Sequence, residues 1–130
     1  MNIKVVKFGG SSLADANQIK KAADIIRSDE RRRYVVPSAP GKRFSDDIKI
    51  TDMLYKCNAL AQENRNINET FSAIAHRYNN IIEDLGIDLS LECELETIRK
   101  NITEKAGSEY AASRGEYLNG IIIAALLGYE

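Results

Sequence analysis

The sequence is poor in the residues that build metal centres and disulfides. Its 130 residues include two cysteines and one histidine. Cys57 and Cys93 lie in helical patterns without the spacing of metal ligands, and His76 has no Cys, Asp or second His at that spacing. We therefore expect no metal site made by protein side chains alone. The cysteine content favours two buried thiols in a reducing cytoplasm.

Long apolar segments and a marked excess of charge are also absent. The longest apolar run, residues 121–127, is far too short to span a bilayer. The formal net charge of -1 does not favour nucleic acid or an anionic membrane surface as a partner. Met1 leads directly into the first apolar segment, so we expect no signal peptide. No repeat, low-complexity segment or linker divides the sequence, and its length suits one domain.

Hydrophobic periodicity predicts two short strands and five helices. Apolar residues alternate over residues 3–8 and recur at helical spacing over residues 19–26. A second strand over residues 33–36 ends at Pro37, and a polar, mobile loop is expected over residues 42–49. Four more helices are predicted over residues 50–60, 67–85, 91–102 and 108–127.

The ends of the later helices carry specific signals. Gly86 is predicted to stop one helix and Ser108 to cap the last. Residues 121–127 are apolar on every side, which is typical of a fully enclosed helix. Two strands cannot make an independent sheet with helices on both faces. Either strands from elsewhere complete the sheet, or the sequence is the front part of a longer chain.

A glycine turn, Gly9-Gly10-Ser11-Ser12, follows the first strand. A strand, a glycine turn and a helix commonly hold a phosphate, because bare backbone N–H groups meet the positive end of the helix. The glycines permit positive φ and close approach of a ligand. Lys7 would lie at the carboxyl end of the strand and could neutralise a phosphoryl group in transfer. The alternative is an ordinary turn with a solvated lysine, and the P-loop pattern is absent.

Three further polar residues are candidates for ligand contacts. Ser38 follows the second strand, and Thr51 lies in the first turn of a helix, where capping is the alternative role. Glu116 precedes the enclosed apolar segment, where a carboxylate needs either the ammonium group of a ligand or an internal partner such as Arg114. Gly115 costs a helix up to ~1 kcal/mol relative to alanine, which indicates a close backbone approach.

These motifs, in this order, resemble those of the aspartate kinases of the amino-acid kinase superfamily. Four segments carry the resemblance: VVKFGGSS at 5–12, VVPSA at 35–39, ITDML at 50–54 and SRGE at 113–116. Thr51 and Glu116 separate the family from carbamate, glutamate and uridylate kinases better than the glycine turn does. Pro37 is a departure, since the family usually has an aliphatic residue in that strand.

The resemblance implies an α/β fold, part of the carbamate kinase-like αβα sandwich, helix-rich and with few strands. It implies ATP-dependent phosphorylation of the β-carboxylate of L-aspartate to β-aspartyl phosphate. This reaction begins the synthesis of lysine, threonine and methionine. Lys7 would be catalytic, Ser38 and Thr51 would contact aspartate, and Glu116 would bind its α-ammonium group. The residues implied to bind the ATP phosphates are Lys7, Phe8, Gly9, Gly10 and Ser11.

The resemblance also implies the wider organisation of the protein. Mg²⁺ would bridge the nucleotide phosphates without a dedicated protein cage. L-aspartate and ATP are the expected small-molecule partners, and a cytoplasmic homo-oligomer is expected. Residues 1–130 would form the amino-terminal part of a catalytic domain, without the nucleotide-base half and regulatory domains, and would be inactive alone. The alternative is a non-catalytic, self-associating, helix-rich module derived from an amino-acid kinase.

Overall fold

The computed structural model describes residues 2–129, in which two parallel strands pack against helices. This architecture confirms the predicted helix-rich α/β fold with few strands. A short 3-10 helix, Gly10–Leu13, separates the first strand from the first α-helix. The regular elements are β1 (Lys4–Phe8), α1 (Ala16–Arg27), β2 (Arg32–Pro37), α2 (Ile50–Gln62), α3 (Asn68–Leu85), α4 (Glu92–Thr103) and α5 (Ser108–Leu127).

The two-stranded sheet is covered on one face and open on the other. Phe8 and Val35 pack against the hydrophobic core. The alternating residues Val5, Tyr34 and Val36 are 67%, 61% and 46% exposed. Because side chains of a strand alternate between faces, these three form one apolar surface on the outer face of the sheet. An αβα sandwich covers both faces of its sheet, so this outer face is where a second helical layer would pack.

Pro37 ends β2, as the sequence predicts. It pairs with Phe8 in the register of the two strands. The next residue, Ser38, donates its backbone N–H to the Phe8 carbonyl at 3.2 Å. The missing N–H of proline therefore does not prevent Ser38 from continuing the ladder at the carboxyl end of the sheet.

The core is built mainly between helices α2, α3, α4 and α5. Leu54, Ile74 and Leu118 are completely buried there. Tyr78 of α3 is also completely buried, and its hydroxyl donates a hydrogen bond to the Gly115 carbonyl at 2.8 Å. Burial raises the pKa of the Tyr78 hydroxyl well above its ordinary value, so this phenol stays neutral and keeps donating to α5.

Of the two helix ends predicted from specific residues, one agrees with the structure and one differs. Gly86 adopts the left-handed conformation after α3, with φ 68°, as predicted. Ser108 is the first residue of α5 rather than its cap, because Gly107 occupies the N-cap position.

The expectation that residues 121–127 are fully enclosed is wrong for the described part of the chain. Ile122 and Ile123 are buried there, but Ala125 is exposed.

The two thiols differ in exposure. Cys57 is buried in the core, and desolvation raises its pKa to about 11. Cys93 is exposed on α4, so the expectation of two buried thiols is wrong for this residue. Within residues 2–129, none of the helices has the length and apolar character needed to cross a membrane.

Candidate active site

An open cleft of about 500 Å³ lies where the segments after β1 and β2 meet α2 and α5. Five residues that the sequence predicts as ligand contacts line it: Gly10, Ser11, Ser38, Thr51 and Glu116. These residues are widely separated in the sequence, so only tertiary folding brings them together. The cleft is also lined by Ala39, Pro40, Gly41, Lys42 and Lys49, which sequence reasoning did not single out.

The three predicted residues nearest to the end of β1 do not line this cleft. Lys7 is exposed and alternates with Phe8, whose side chain packs against the core. The backbone carbonyl of Phe8 accepts the Ser38 N–H, so it is occupied within the sheet. Gly9 is exposed and has open space around its α-carbon. The phosphate-binding roles of Lys7, Phe8 and Gly9 remain predictions.

The glycine turn has an unexpected local form. Gly9 has φ -77°, and Gly10 is not among the residues with positive φ, so neither glycine uses the positive φ that the residue type permits. The chain enters a 3-10 turn at Gly10, and α1 begins only at Ala16. Asp15 caps that helix by accepting a hydrogen bond from the Gln18 N–H at 2.9 Å. The turn rather than the α1 terminus therefore faces the cleft.

The close contact between the loops after β1 and β2 requires a residue without a side chain at Gly10. A β-carbon at Gly10 would lie 3.0 Å from the Ala39 carbonyl oxygen, and one at Gly41 would lie 2.6 Å from the Gly10 carbonyl carbon. The Gly41 N–H also donates to the Gly10 carbonyl oxygen at 2.9 Å. Two glycines thus let the backbones after β1 and β2 touch, and together they form one wall of the cleft.

Gly115 explains how Glu116 reaches the cleft. A β-carbon at Gly115 would lie 2.8 Å from the Ala39 Cβ and 3.3 Å from the Ile50 Cγ2. Helix α5 therefore touches both the loop after β2 and the start of α2. This contact confirms the close backbone approach that a helical glycine predicts. It places the next residue, Glu116, on the cleft.

Asn119 lies one turn further along α5 and was missed by sequence reasoning. Its side chain is completely buried, and its Nδ2 donates to the Ser38 carbonyl oxygen at 2.8 Å. Its Oδ1 has no hydrogen-bond partner among the described residues. Buried polar side chains normally have hydrogen-bond partners. The hydrogen bond from Asn119 to the Ser38 carbonyl ties the position of Ser38 to α5.

Thr51 is free of the capping role that was its alternative. Lys49 occupies the N-cap position of α2, and no side chain caps this helix. Thr51 lies in the first turn, half-buried, and lines the cleft. Its hydroxyl and the uncapped N–H groups of that turn are therefore available to an anionic ligand.

Glu116 is likewise not paired within the described part of the chain. It is exposed and makes no hydrogen bond or ion pair with residues 2–129. Arg114, the internal partner considered for it, instead stacks between Tyr110 and Tyr117, at 4.9 Å and 4.8 Å from their ring centroids. The carboxylate of Glu116 remains open to a cation in the cleft.

Arg77 of α3 holds the cleft walls together and was not identified from the sequence. It is 5% exposed, and its guanidinium donates to the carbonyls of Ala14, Gly41 and Ile48 at 3.0, 2.8 and 3.0 Å. These carbonyls belong to the segments after β1, after β2 and before α2. Burial lowers the pKa of Arg77 from its ordinary value, but a guanidinium keeps its charge.

The loop over residues 42–49 is tied down by charged side chains, although the sequence suggests mobility. Arg43 donates to both carboxylate oxygens of Asp47, at 2.7 and 3.0 Å. These hydrogen bonds hold the pKa of Asp47 well below its ordinary value. Arg77 adds an ion pair to Asp47 at 4.0 Å. The loop is therefore fixed both internally and to α3.

The donor set of the cleft fits an anionic group better than a protein-bound metal. Among the described residues there is no group of three or more His, Cys, Asp or Glu side chains able to hold a metal ion. The cleft instead presents the Ser11 hydroxyl and the ammonium groups of Lys42 and Lys49. Donors of this kind suit the phosphates of a nucleotide, whose oxygens could themselves bind Mg²⁺.

Comparison with known proteins identifies the class. The profile of the amino acid kinase family matches residues 2–129. The chain belongs to this family of phosphotransferases. Within the family it is similar to the aspartate kinases, which confirms the resemblance carried by the four motifs.

Three relatives illustrate this similarity. Aspartokinase 3 of Bacillus subtilis (strain 168) is 36% identical over 98% of this chain and 30% of its own length. The crystal structure of Clostridium acetobutylicum aspartate kinase matches with a TM-score of 0.95 and 52% identity, over 98% of this chain and 30% of that chain. The crystal structure of Escherichia coli aspartokinase III with aspartate and ADP matches with a TM-score of 0.71 and 28% identity. This match covers 98% of this chain and 29% of that chain. The chain thus spans about 30% of the length of the first two relatives.

Proposed function

We propose that this chain contributes the acceptor side of an aspartate kinase site, in which ATP phosphorylates the β-carboxylate of L-aspartate. The observation that carries the proposal is the convergence of Ser38, Thr51 and Glu116 on the cleft formed with the Gly10–Ser11 turn. Glu116 has no internal partner among the described residues and Thr51 has no capping role, so both are open to a ligand.

Each residue would have a distinct task in this reaction. Glu116 binds the α-ammonium group of aspartate. Ser38 and Thr51 orient a carboxylate of aspartate by hydrogen bonds. A β-carboxylate oxygen then bonds to the γ-phosphorus of ATP while the bond from that phosphorus to ADP breaks. The Gly10–Ser11 turn and Lys7 stabilise charge on the transferring phosphoryl group. No covalent enzyme intermediate is needed.

The domain assignment is part of the same proposal. Residues 1–130 would be the amino-terminal part of an amino-acid kinase catalytic domain, and a nucleotide-base half would complete the site. The open outer face of the sheet supports this assignment, since Val5, Tyr34 and Val36 are exposed where a second helical layer would pack. The share of the aspartate kinases that this chain spans also supports it.

A segment graft tests the proposed roles. Residues 1–130 would replace the corresponding segment of Bacillus subtilis aspartokinase 3, and hydroxylamine would trap aspartyl phosphate as the hydroxamate. We expect an active graft. Lys7→Ala should lower kcat by about 10²-fold, because its charge acts mainly in the transition state. Glu116→Ala should raise the aspartate KM at least about tenfold, because it leaves the ammonium group unpaired.

Glu109→Ala is the matched control, since Glu109 is an exposed glutamate in the first turn of the same helix and outside the cleft. It should leave both kinetic constants unchanged. Equal effects of the Lys7 and Glu116 variants on both constants would show that their roles are misassigned.

The alternative function is a self-associating, non-catalytic module. The specific observation in its favour is the apolar outer face of the sheet, where Val5 is 67% exposed. A folded graft that forms no hydroxamate, together with stable assembly of the chain alone, would favour this alternative.

A further inference from the structure

The proposed function assigns no group of either substrate to two lysines in the cleft, although their ammonium groups suit anions. Lys42 and Lys49 both line the cleft and are both exposed. Neither forms an ion pair within residues 2–129. Two unpaired ammonium groups on one concave surface repel each other, so an anion between them would lower the electrostatic energy of the pair.

Loop closure brings the two lysines together. The Ile50 N–H donates to the Pro40 carbonyl at 3.2 Å, so the two ends of the loop meet. Lys42 lies two residues after Pro40, and Lys49 directly precedes Ile50. Both side chains therefore start from neighbouring points of the backbone, although seven positions separate them in the sequence.

The surrounding contacts fix this arrangement. Arg43 and Asp47 are joined by hydrogen bonds of 2.7 and 3.0 Å inside the loop. Arg77 holds the Ile48 carbonyl at 3.0 Å, next to Lys49, and the Gly41 carbonyl at 2.8 Å, next to Lys42. The backbone that carries the two lysines is therefore held in place before any ligand arrives, which lowers the entropic cost of binding.

The charges of the cleft suggest the kind of ligand. Among the described residues that line the cleft, Glu116 is the one carboxylate, against the two ammonium groups of Lys42 and Lys49. An acidic amino acid carries two carboxylates and one ammonium group, which is the complementary set of charges. Lys42 also follows Gly41, whose N–H bonds the Gly10 carbonyl at 2.9 Å, so it lies beside the proposed phosphoryl-binding turn.

We propose that Lys42 and Lys49 bind the side-chain carboxylate of an acidic amino acid, the group that receives the phosphoryl, while Glu116 binds its ammonium group. This inference rests on the proposed function and adds two specificity-determining residues to it. A neutral side-chain amide in the same place would leave both lysines without their anion, so the pair discriminates between aspartate and asparagine.

The test is a titration of the ¹⁵N-labelled chain followed by amide chemical shifts, with L-aspartate, L-asparagine and inorganic phosphate as separate probes. The double variant Lys42→Met/Lys49→Met should weaken aspartate binding by about tenfold or more, and added salt should reduce the difference. Asparagine binding should not change. Lys56→Met is the matched control, an exposed lysine on α2 outside the cleft, and it should bind aspartate like the unmodified chain.

The outcomes separate this inference from the proposed function. If Glu116→Gln weakens aspartate binding but the lysine variant does not, the lysine inference is overturned and the proposed function stands. If the lysine variant weakens binding and Glu116→Gln does not, the lysine inference stands and the ammonium assignment fails. Three other results would each overturn the inference. The first is that the lysine variant loses asparagine binding as much as aspartate binding, and the second is that it loses only the binding of inorganic phosphate. The third is that aspartate shifts no amide signal of the residues that line the cleft.

Discussion

Single residues decide how closely the walls of the cleft approach each other. Gly10 and Gly41 let two loop backbones touch, and Gly115 lets α5 touch Ala39 and Ile50. None of these contacts involves a charged side chain. The position of Glu116 therefore depends on the absence of a methyl group at the residue before it.

Gly115→Ala should destabilise the chain, because its new methyl group would lie 2.8 Å from the Ala39 Cβ. Overpacking of this kind costs about 1–3 kcal/mol, more than the gain in helix propensity. The matched control is Gly120→Ala on the same helix, where the nearest atom would be the Pro37 Cγ at 3.8 Å. The control should be neutral or stabilise by up to about 1 kcal/mol. Urea unfolding of both variants measures the difference, and equal stabilities would contradict the packing of α5 described above.

Two buried polar residues show where sequence reasoning falls short. Arg77 lies three residues after Ile74 and four before Ile81, on the apolar stripe of α3. Asn119 lies four residues before Ile123, on the buried stripe of α5. A polar residue on an apolar stripe was a signal that could have marked both. Their partners could not be predicted, since the Ala14, Gly41 and Ser38 carbonyls are brought to them by tertiary folding.

At the scale of elements, Arg77 links α3 to both connections around the cleft, the one after β1 and the one between β2 and α2. Arg77→Met should cost about 3 kcal/mol or more, because it leaves the carbonyls of Ala14, Gly41 and Ile48 without their buried donor. Arg77→Lys should recover only part of this loss, since an ammonium group cannot reproduce the planar set of donors.

The control for this prediction is Asn79→Met, at an exposed position of the same helix. Unfolding in urea, followed by circular dichroism, compares the three variants. If Arg77→Met lowers the free energy of unfolding no more than the control does, the arginine does not hold the loops.

The loop over residues 42–49 should give stability a defined pH dependence. The hydrogen bonds from Arg43 lower the pKa of Asp47 below its ordinary value of 3.8. The charged carboxylate therefore stabilises the fold above about pH 4, and this contribution is lost as the pH falls through the lowered pKa. Asp47→Asn should destabilise by about 1 kcal/mol at neutral pH and reduce the loss of stability on acidification.

Asp46→Asn is the control, because Asp46 is the exposed neighbouring aspartate in the same loop. Thermal unfolding between about pH 3 and pH 7 measures both variants. An acid transition that is as steep in Asp47→Asn as in the unmodified chain would contradict the role of the Arg43–Asp47 pair.

Hydrophobic periodicity predicts the strands and helices, but it does not predict where they end or how the connections between them fold. The alternation before Phe8 and the apolar stripes of α1 to α5 depend on near neighbours, which the sequence displays directly. The 3-10 turn at Gly10–Leu13 depends instead on the loop that packs against it after β2. The exposure of Ala125 depends on which elements pack around α5, which a helical pattern cannot reveal.

At the scale of the whole molecule, the open face of the sheet should drive self-association. Val5 and Val36 are 67% and 46% exposed on that face. The double variant Val5→Lys/Val36→Lys should shift the chain towards monomer in sedimentation velocity, because it places charge on the apolar surface. Ile25→Lys is the control, since Ile25 is 50% exposed but lies on α1 outside the sheet. Assembly that resists the double variant would show that another surface is used.

The chain alone should be catalytically silent. Phosphoryl transfer needs donor and acceptor held in line. In the proposed function the described residues provide only the acceptor side and the phosphate turn. Purified chain supplied with ATP, Mg²⁺, aspartate and hydroxylamine should form no aspartyl hydroxamate above background. Steady hydroxamate formation from a monodisperse monomer would contradict the domain assignment.

The most direct test of the proposal that the cleft binds aspartate is a crystal structure of this chain with L-aspartate. We expect the α-ammonium group within hydrogen-bond distance of the Glu116 carboxylate and a carboxylate of the ligand facing Ser38 and Thr51, between the turn at Gly10 and the start of α2. Aspartate bound elsewhere on the molecule, or bound in the cleft with its ammonium group turned away from Glu116, would contradict this assignment.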